Sequence, residues 1–306
     1  MKAEFFASYP PPPGSVIEAE DVDVVLLQDL SVAVIGYGTM GRAQALNLRR
    51  SGVPVTVGLR PGSPRLALAA EEGVTVLPVP EAVAAADLVM LLLPDEAMAA
   101  AYADQIEPAL GPRAVLGFAH GFALAFDQIR PGPGRDCFLV APKGQGDMLL
   151  AAHEQGRGVP GLLAATAGAR PATWDLAAAY AKAVGCLWGG GFVTTFGQEC
   201  VSDQFGEQVV LCGGVLELLK AAFDVMVQAG YGEQNAYFEC IHELKLITDL
   251  VHRLGIDGMR DRISNTAAYG GLTRGPRVID DHARARMAAV LAEIESGAFA
   301  REFLAR

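Results

Sequence analysis

The chain has no uninterrupted apolar run of about 18 residues or more, the length a membrane-crossing helix needs, so no membrane span is expected. Cysteine is scarce. Cys137, Cys186, Cys200, Cys212 and Cys240 form no CxxC pair, and several lie in apolar runs. They read as reduced, mostly buried thiols rather than as a disulfide framework. Basic residues are too few for a phosphate backbone: 24 Lys and Arg stand against 35 Asp and Glu, a net charge of −11, so nucleic acid is not an expected partner. An acidic chain still binds a polyanionic cofactor locally, or holds divalent cations through clustered carboxylates. Met1 to Pro13 lacks the charged-then-apolar order of a signal peptide, and a cytoplasmic location is the expectation. What is abundant is apolar residue, 51% of the chain, enough for a sizeable core. Its 306 residues leave room for two domains, because single cores stop growing at roughly 250–300 residues.

From Ser31 to Val193, short apolar runs alternate with Ala- and Leu-rich segments. Val32–Ile35, Val55–Leu59, Val74–Leu77, Leu88–Leu93, Ala114–Phe118, Phe138–Ala141 and Leu162–Thr166 read as strands. Ala43–Arg50, Pro64–Glu72, Glu96–Ile106 and Ala172–Val184 read as helices. Near-continuous apolar strands alternating with helices imply a parallel sheet covered on both faces, a doubly wound α/β domain. After Gly189–Gly191 the texture changes to long helical patterns, with breaks expected at Gly230–Gly232, Gly255–Gly258 and Gly270–Pro276. The expected organisation is a nucleotide-binding domain over 1–194, with 1–30 as an extension, and an all-helical domain over 195–306. Pro10–Pro13 reads as a rigid, solvated spacer.

Val32-Ala33-Val34-Ile35 runs into Gly36-Tyr37-Gly38-Thr39-Met40-Gly41, and a helix is expected from Arg42. This is G-x-G-x-x-G between a strand and a helix, the context that points to a dinucleotide. Gly36 permits the turn, Gly38 the approach of a pyrophosphate, and Gly41 close helix–strand packing. The helix N-terminus would then face the phosphates. The alternative is a tight turn with no ligand. At the end of the next strand, where an NAD site carries an acid for the ribose hydroxyls, this chain has Arg60, then Ser63 and Arg65. Two guanidinium groups and a hydroxyl suit a 2′-phosphate and so NADPH, though two solvated arginines would give the same pattern.

In the helical half, Asp203 and Glu207 stand four residues apart, as do Glu239 and Glu243. Each pair shares a helix face. Two such pairs could hold a two-metal magnesium centre, since magnesium prefers oxygen ligands. Solvated acidic faces show the same spacing. The surroundings Phe205-Gly206, Val209–Cys212 and Ala236–Leu244 are apolar, however, and four buried carboxylates without cations would be prohibitive.

Several blocks then occur in a telling order. They are Gly36–Gly41, Leu93–Glu96, Phe118–Phe122, Ala141–Gly144, Asp203–Gln208 followed by Val209–Gly214, Tyr237–Lys245, Ile263–Ala267 and Gly275–Ile279. Together they resemble ketol-acid reductoisomerase, short-chain class, from roughly Ser31 to Arg306. The resemblance implies a Rossmann domain followed by a single, knotted helical domain. It implies a reaction of branched-chain amino-acid biosynthesis: alkyl migration in 2-acetolactate or 2-aceto-2-hydroxybutyrate, then reduction by NADPH to a 2,3-dihydroxy acid. Two magnesium ions would be held by Asp203 and Glu207 and by Glu239 and Glu243, the second pair coming from a partner subunit of a homodimer or larger assembly of dimers. Ser264 would hydrogen-bond the substrate, and His120 and Lys143 would lie near it as catalytic groups with Glu239. Pro94, Asp95 and His120 would join the glycine loop around the cofactor. On the residues alone, His120 reads equally as a loop histidine, Lys143 as a turn lysine and Ser264 as a helix cap. His242 is read as structural.

The chain departs from the family pattern at Thr39-Met40 and Arg42, where Ser-Gln and His are common. It departs again at Gln145-Gly146-Asp147, where Pro-Gly-His is common, in the lead Gln198–Ser202, and at Ala268. These changes spare the metal ligands. They leave open a paralogue acting on a different 2-acyl-2-hydroxy acid. Other readings are a metal-free NADPH reductase and a non-catalytic NADPH-binding protein.

Overall fold

A computed structural model describes residues 15–306; the proline run at Pro10–Pro13 lies outside them. Among the described residues, nine strands form one sheet: β1 Val16–Ile17, β2 Val32–Ile35, β3 Val55–Leu59, β4 Thr75–Pro78, β5 Leu88–Leu91, β6 Val115–Phe118, β7 Cys137–Pro142, β8 Gly161–Ala165 and β9 Gly191–Val193. Their order is β1-β9-β8-β7-β6-β5-β2-β3-β4. β2 pairs in parallel with both β3 and β5, in registers Val32↔Val55 and Val32↔Leu88. Residues alternate between the two faces, as strand geometry requires. Val32, Val34, Leu88, Met90, Phe138 and Val140 enter one core with Trp174 and Tyr180. Ala33, Ile35, Val89, Leu91, Leu139 and Ala141 enter the other with Met98, Tyr102 and Ile106. Helices cover both faces, which is why these strands read as unbroken apolar runs.

The expected all-parallel sheet is corrected at one side: β7 and β8 are antiparallel, and so are β1 and β9. A strand buried on both faces is apolar whichever way it runs, so direction left no trace in the sequence. β1 and β9 are two and three residues long, too short to show a period.

The chain divides into two units after Cys200, within the helix Phe196–Phe205. Residues 201–306 are helical: Gly214–Gln228, Glu233–Tyr237, Glu243–Arg260, Asn265–Val278, Asp281–Glu295 and Ala298–Leu304. The break at Gly230–Gly232 is present, and Gly255 kinks its helix at φ 72°. Gly270–Pro276 is no break. The helix Asn265–Val278 runs through it, with Pro276 in its last turn, where the missing N–H and the ring's clash disturb one turn only. No helix among the described residues is long and apolar enough to cross a membrane.

Candidate active site

β2, β5, β6 and β7 deliver their loops at carboxyl ends, where open α/β sheets bind ligands. β2 ends at Ile35 and the chain turns at Gly36, whose φ is +104°. A Cβ there would strike the Leu92 carbonyl. A Cβ at Gly41 would strike the Gly36 carbonyl, so the third glycine closes the turn onto its own helix. The helix begins at Thr39, three residues earlier than expected, with Gly38 as its N-cap. Among the described residues, nothing stands within 4 Å of the place a Cβ would occupy at Gly38.

That open side faces a cleft of about 610 Å³. Gly36, Tyr37, Gly38, Thr39, Met40, Gly41, Arg60, Ser63, Arg65 and Pro94 all line it. Arg60 and Arg65 are exposed and have no carboxylate partner among the described residues. Asp95 and His120 are not among the residues that line it. Asp95 starts the helix Asp95–Ala101, and burial raises its carboxyl pKa, with His120 opposing and Glu96 and Glu199 adding to the rise.

Arg42, a departure from the family pattern, has a defined set of partners. Its Nε donates to Glu72 at 2.8 Å, and Nη2 donates to the same carboxylate. The Tyr37 hydroxyl donates to Glu72 Oε2 at 2.7 Å. Hydrogen bonding from Arg42 holds the Glu72 carboxyl below its usual value, against burial. Arg42 Nη1 also lies 3.8 Å from Asp147 Oδ1, so two of the departing positions face each other as opposite charges.

His120 follows β6 and Lys143 follows β7, and Glu199 joins them. Glu199 is 1% exposed. Its Oε2 accepts from the Gly121 N–H at 2.8 Å and lies 3.0 Å from His120 Nδ1. Its Oε1 accepts from Lys143 Nζ at 3.0 Å. Burial works against the imidazolium, but hydrogen bonds to Cys200 and Glu199 and the carboxylate's charge raise His120 to about 11. Burial likewise opposes ionised Glu199, and His120, Lys143 and the Gly121 N–H outweigh it, so its pKa is lowered. Cys200 is raised by burial. Sequence reasoning singled out His120 and Lys143 and missed Glu199. A signal was there: Glu199 precedes Asp203 by four residues, the spacing that drew attention to Asp203 and Glu207.

The carboxylate pairs lie where helices widen. Asp203 is in the helix Phe196–Phe205, and Glu207 is in the π-helical segment Gly206–Leu211 that continues it. Glu239 is in a second π-helical segment, Phe238–His242, and Glu243 opens the next helix. Such segments occur frequently at functional sites. The expected apolar enclosure is absent among the described residues: Glu207, Glu239 and Glu243 are exposed, and Phe238 beside them is 53% exposed. The reason is that residues 201–306 bury just Gln204, Ala236, Ile294, Gly297 and Ala300, which makes no core to enclose them. Ser264 caps the helix Asn265–Val278, accepting from the Ala267 N–H at 3.2 Å. Its hydroxyl proton is left to donate elsewhere. His242 is exposed and packs edge-on to Phe238.

The chain is similar to known proteins in sequence and in fold. The family model described as acetohydroxy acid isomeroreductase, NADPH-binding domain, matches residues 26–190. The model described as ketol-acid reductoisomerase, C-terminal domain, matches residues 196–306. Among solved structures, an NADH-preferring ketol-acid reductoisomerase from an uncultured archean is 42% identical, with a TM-score of 0.90 over 95% of this chain and 89% of that one. A semialdehyde dehydrogenase NAD-binding protein from Cupriavidus necator, solved with calcium and NAD, is 20% identical, with a TM-score of 0.64 over 87% of this chain and 99% of that one. Pyrroline carboxylate reductase from Plasmodium falciparum is 12% identical, with a TM-score of 0.55 over 88% and 98%. The last two share the fold.

Proposed function

The chain belongs to the ketol-acid reductoisomerase family, and we propose that it is a magnesium-dependent member that uses NADPH to convert 2-acetolactate or 2-aceto-2-hydroxybutyrate into a 2,3-dihydroxy acid. The observation that carries this reading is the match of both family models, one over the dinucleotide cleft and the other over the four carboxylates.

The residues fit both the metal and the dinucleotide. Four carboxylates in two helical pairs are a hard-oxygen donor set, and neither Glu239 nor Glu243 has a cationic partner among the described residues. The open side of Gly38 leaves space for a pyrophosphate, and Arg60, Ser63 and Arg65 suit a 2′-phosphate. When bound, the metal supplies Lewis acidity at the substrate oxygens and the nicotinamide supplies the hydride. Asp203, Glu207, Glu239 and Glu243 would hold the metal.

Glu199 would keep His120 charged, with its Nδ1 proton directed at Oε2, and would hold Lys143 at a fixed position beside it. Two cations on one buried carboxylate are preorganised and need no rearrangement when negative charge develops on substrate oxygen. Ser264 would donate its remaining hydroxyl proton to the substrate.

A second copy of the chain is part of this proposal. Leu211, Leu216, Val225, Phe238, Leu246 and Leu272 are exposed large apolar side chains on a helical unit that buries five residues. An apolar surface of this kind suits an obligate interface. The expected product is a homodimer or an assembly of dimers, and sedimentation would test it.

The decisive experiment is oxidation of NADPH, and separately NADH, with racemic 2-acetolactate, with and without magnesium, with product identification. Magnesium-dependent formation of 2,3-dihydroxy-3-methylbutanoate supports the proposal. The NADH arm matters because the 42% identical archaeal protein is described as NADH-preferring. Turnover without magnesium would overturn it. A folded, cofactor-binding protein that ignores 2-acetolactate would redirect the search to larger 2-acyl-2-hydroxy acids.

A further inference from the structure

The dinucleotide cleft has an end that the glycine loop and the two arginines do not account for. The helix after β5 presents Ala97, Ala100, Ala101, Asp104 and Gln105 to it, at i, i+3, i+4, i+7 and i+8. The opposite stripe, Met98, Tyr102 and Ile106, is buried in the core, so this helix is held with its polar pair facing the cleft. Where Asp104 and Gln105 lie, the helix is π-wound over Tyr102–Ile106, and the Glu107 N–H reaches back to the Tyr102 carbonyl. The wider winding reduces the angle between successive side chains and lets two neighbours share one face. Neither side chain has a hydrogen-bond or ion-pair partner among the described residues.

The phosphates and ribose of a dinucleotide use the glycine loop and the Arg60–Arg65 segment. Of its two bases, adenine is the one joined to the ribose that carries the 2′-phosphate, so adenine is the base that adjoins the Arg60–Arg65 segment. A purine needs an apolar surface for its ring faces and polar groups at its edge. The alanines and Val79 supply the first, and Asp104 and Gln105 supply the second. We propose that Asp104 and Gln105 are specificity-determining residues that recognise the 6-amino edge of adenine. This rests on the cleft taking a dinucleotide. The Asp104 carboxylate accepts from the 6-amino group, and the Gln105 amide donates to N7, an acceptor in both adenine and its 6-oxo analogue. A base with a 6-oxo group turns an oxygen toward the carboxylate and is disfavoured.

The test is equilibrium binding, read by nicotinamide fluorescence, of NADPH and of its reduced hypoxanthine analogue to the full-length protein and to Asp104→Ala and Gln105→Ala. The protein should bind the adenine form about tenfold more tightly, the scale of one charge-assisted hydrogen bond. Asp104→Ala should bring that ratio close to one, and Gln105→Ala should weaken both forms. Both positions are solvent-accessible, so thermal midpoints should be unchanged. An equal affinity for the two forms, or a ratio that survives Asp104→Ala, overturns the assignment. Tighter binding of NADPH by Asp104→Ala, with NADH unaffected, would set the carboxylate against the 2′-phosphate and overturn it as well. Failure of the unaltered protein to bind either form would reject the dinucleotide reading itself.

Discussion

Replacing Glu72 by glutamine should destabilise the nucleotide-binding unit by about 1–2 kcal/mol at neutral pH. The carboxylate accepts from the Tyr37 hydroxyl at 2.7 Å and from two N–H groups of Arg42. Hydrogen bonds to a charged group contribute about 1.5–3 kcal/mol each when well enclosed. The Arg42 and Glu72 side chains keep 29% and 18% of their exposure, so solvent screening pulls the ion-pair share toward the ~0–1 kcal/mol of surface pairs. Glutamine also keeps one acceptor oxygen. The assay is urea unfolding followed through the buried Trp174, at a series of pH values. Glu72 is held below its usual pKa, so its contribution is fully present above the unfolded-state value of about 4.3 and is lost as pH falls through its lower folded value. The gap between the protein and Glu72→Gln should therefore be constant from neutral pH down to about 5 and close below about 4. A gap of equal size at low pH would show that the amide fits badly and that charge is not the cause. No gap at neutral pH would refute the network's role altogether. Tyr37 lines the cofactor cleft, so NADPH affinity should fall severalfold in the same variant.

Glu199→Gln should lower turnover by about a hundredfold or more while NADPH binding persists, because His120 and Lys143 lose the carboxylate that sets their charge and position. Unchanged kcat would remove Glu199 from the site. Arg60→Ala and Arg65→Ala should each weaken NADPH binding about tenfold and leave NADH nearly untouched, and an equal effect on both cofactors would reject 2′-phosphate recognition. Glu239→Gln should abolish magnesium-dependent turnover with folding and NADPH binding retained, and unchanged turnover would reject it as a ligand.

Much of this molecule could be read without coordinates, for local reasons. β2 and β3 match the expected strands residue for residue, because a strand buried on both faces spells out its length in apolar residues. The glycine loop was legible because Gly36 and Gly41 sit where any Cβ would strike backbone. The spacing of the carboxylate pairs could be read from the α-helical period, but the π-helical winding at Glu207 and Glu239 could not. Glu199 shares that spacing with Asp203, but the spacing gives it no partner of opposite charge; its meaning comes from His120 and Lys143, 79 and 56 residues away in sequence. The break expected at Gly270–Pro276 failed for the opposite reason: local residues that disfavour a helix were overridden by a helix that continues through them.

The sequence by itself determined the alternation of strands and helices, the cofactor turn and the change to an all-helical second half, since each is written in neighbouring residues. Tertiary structure decided the antiparallel placement of β8, the meeting of Arg42 with Glu72 and Asp147, and the gathering of two cations on Glu199. Those depend on which distant strand ends become neighbours, and side-chain charge acts over ångströms in space and takes no account of separation along the chain.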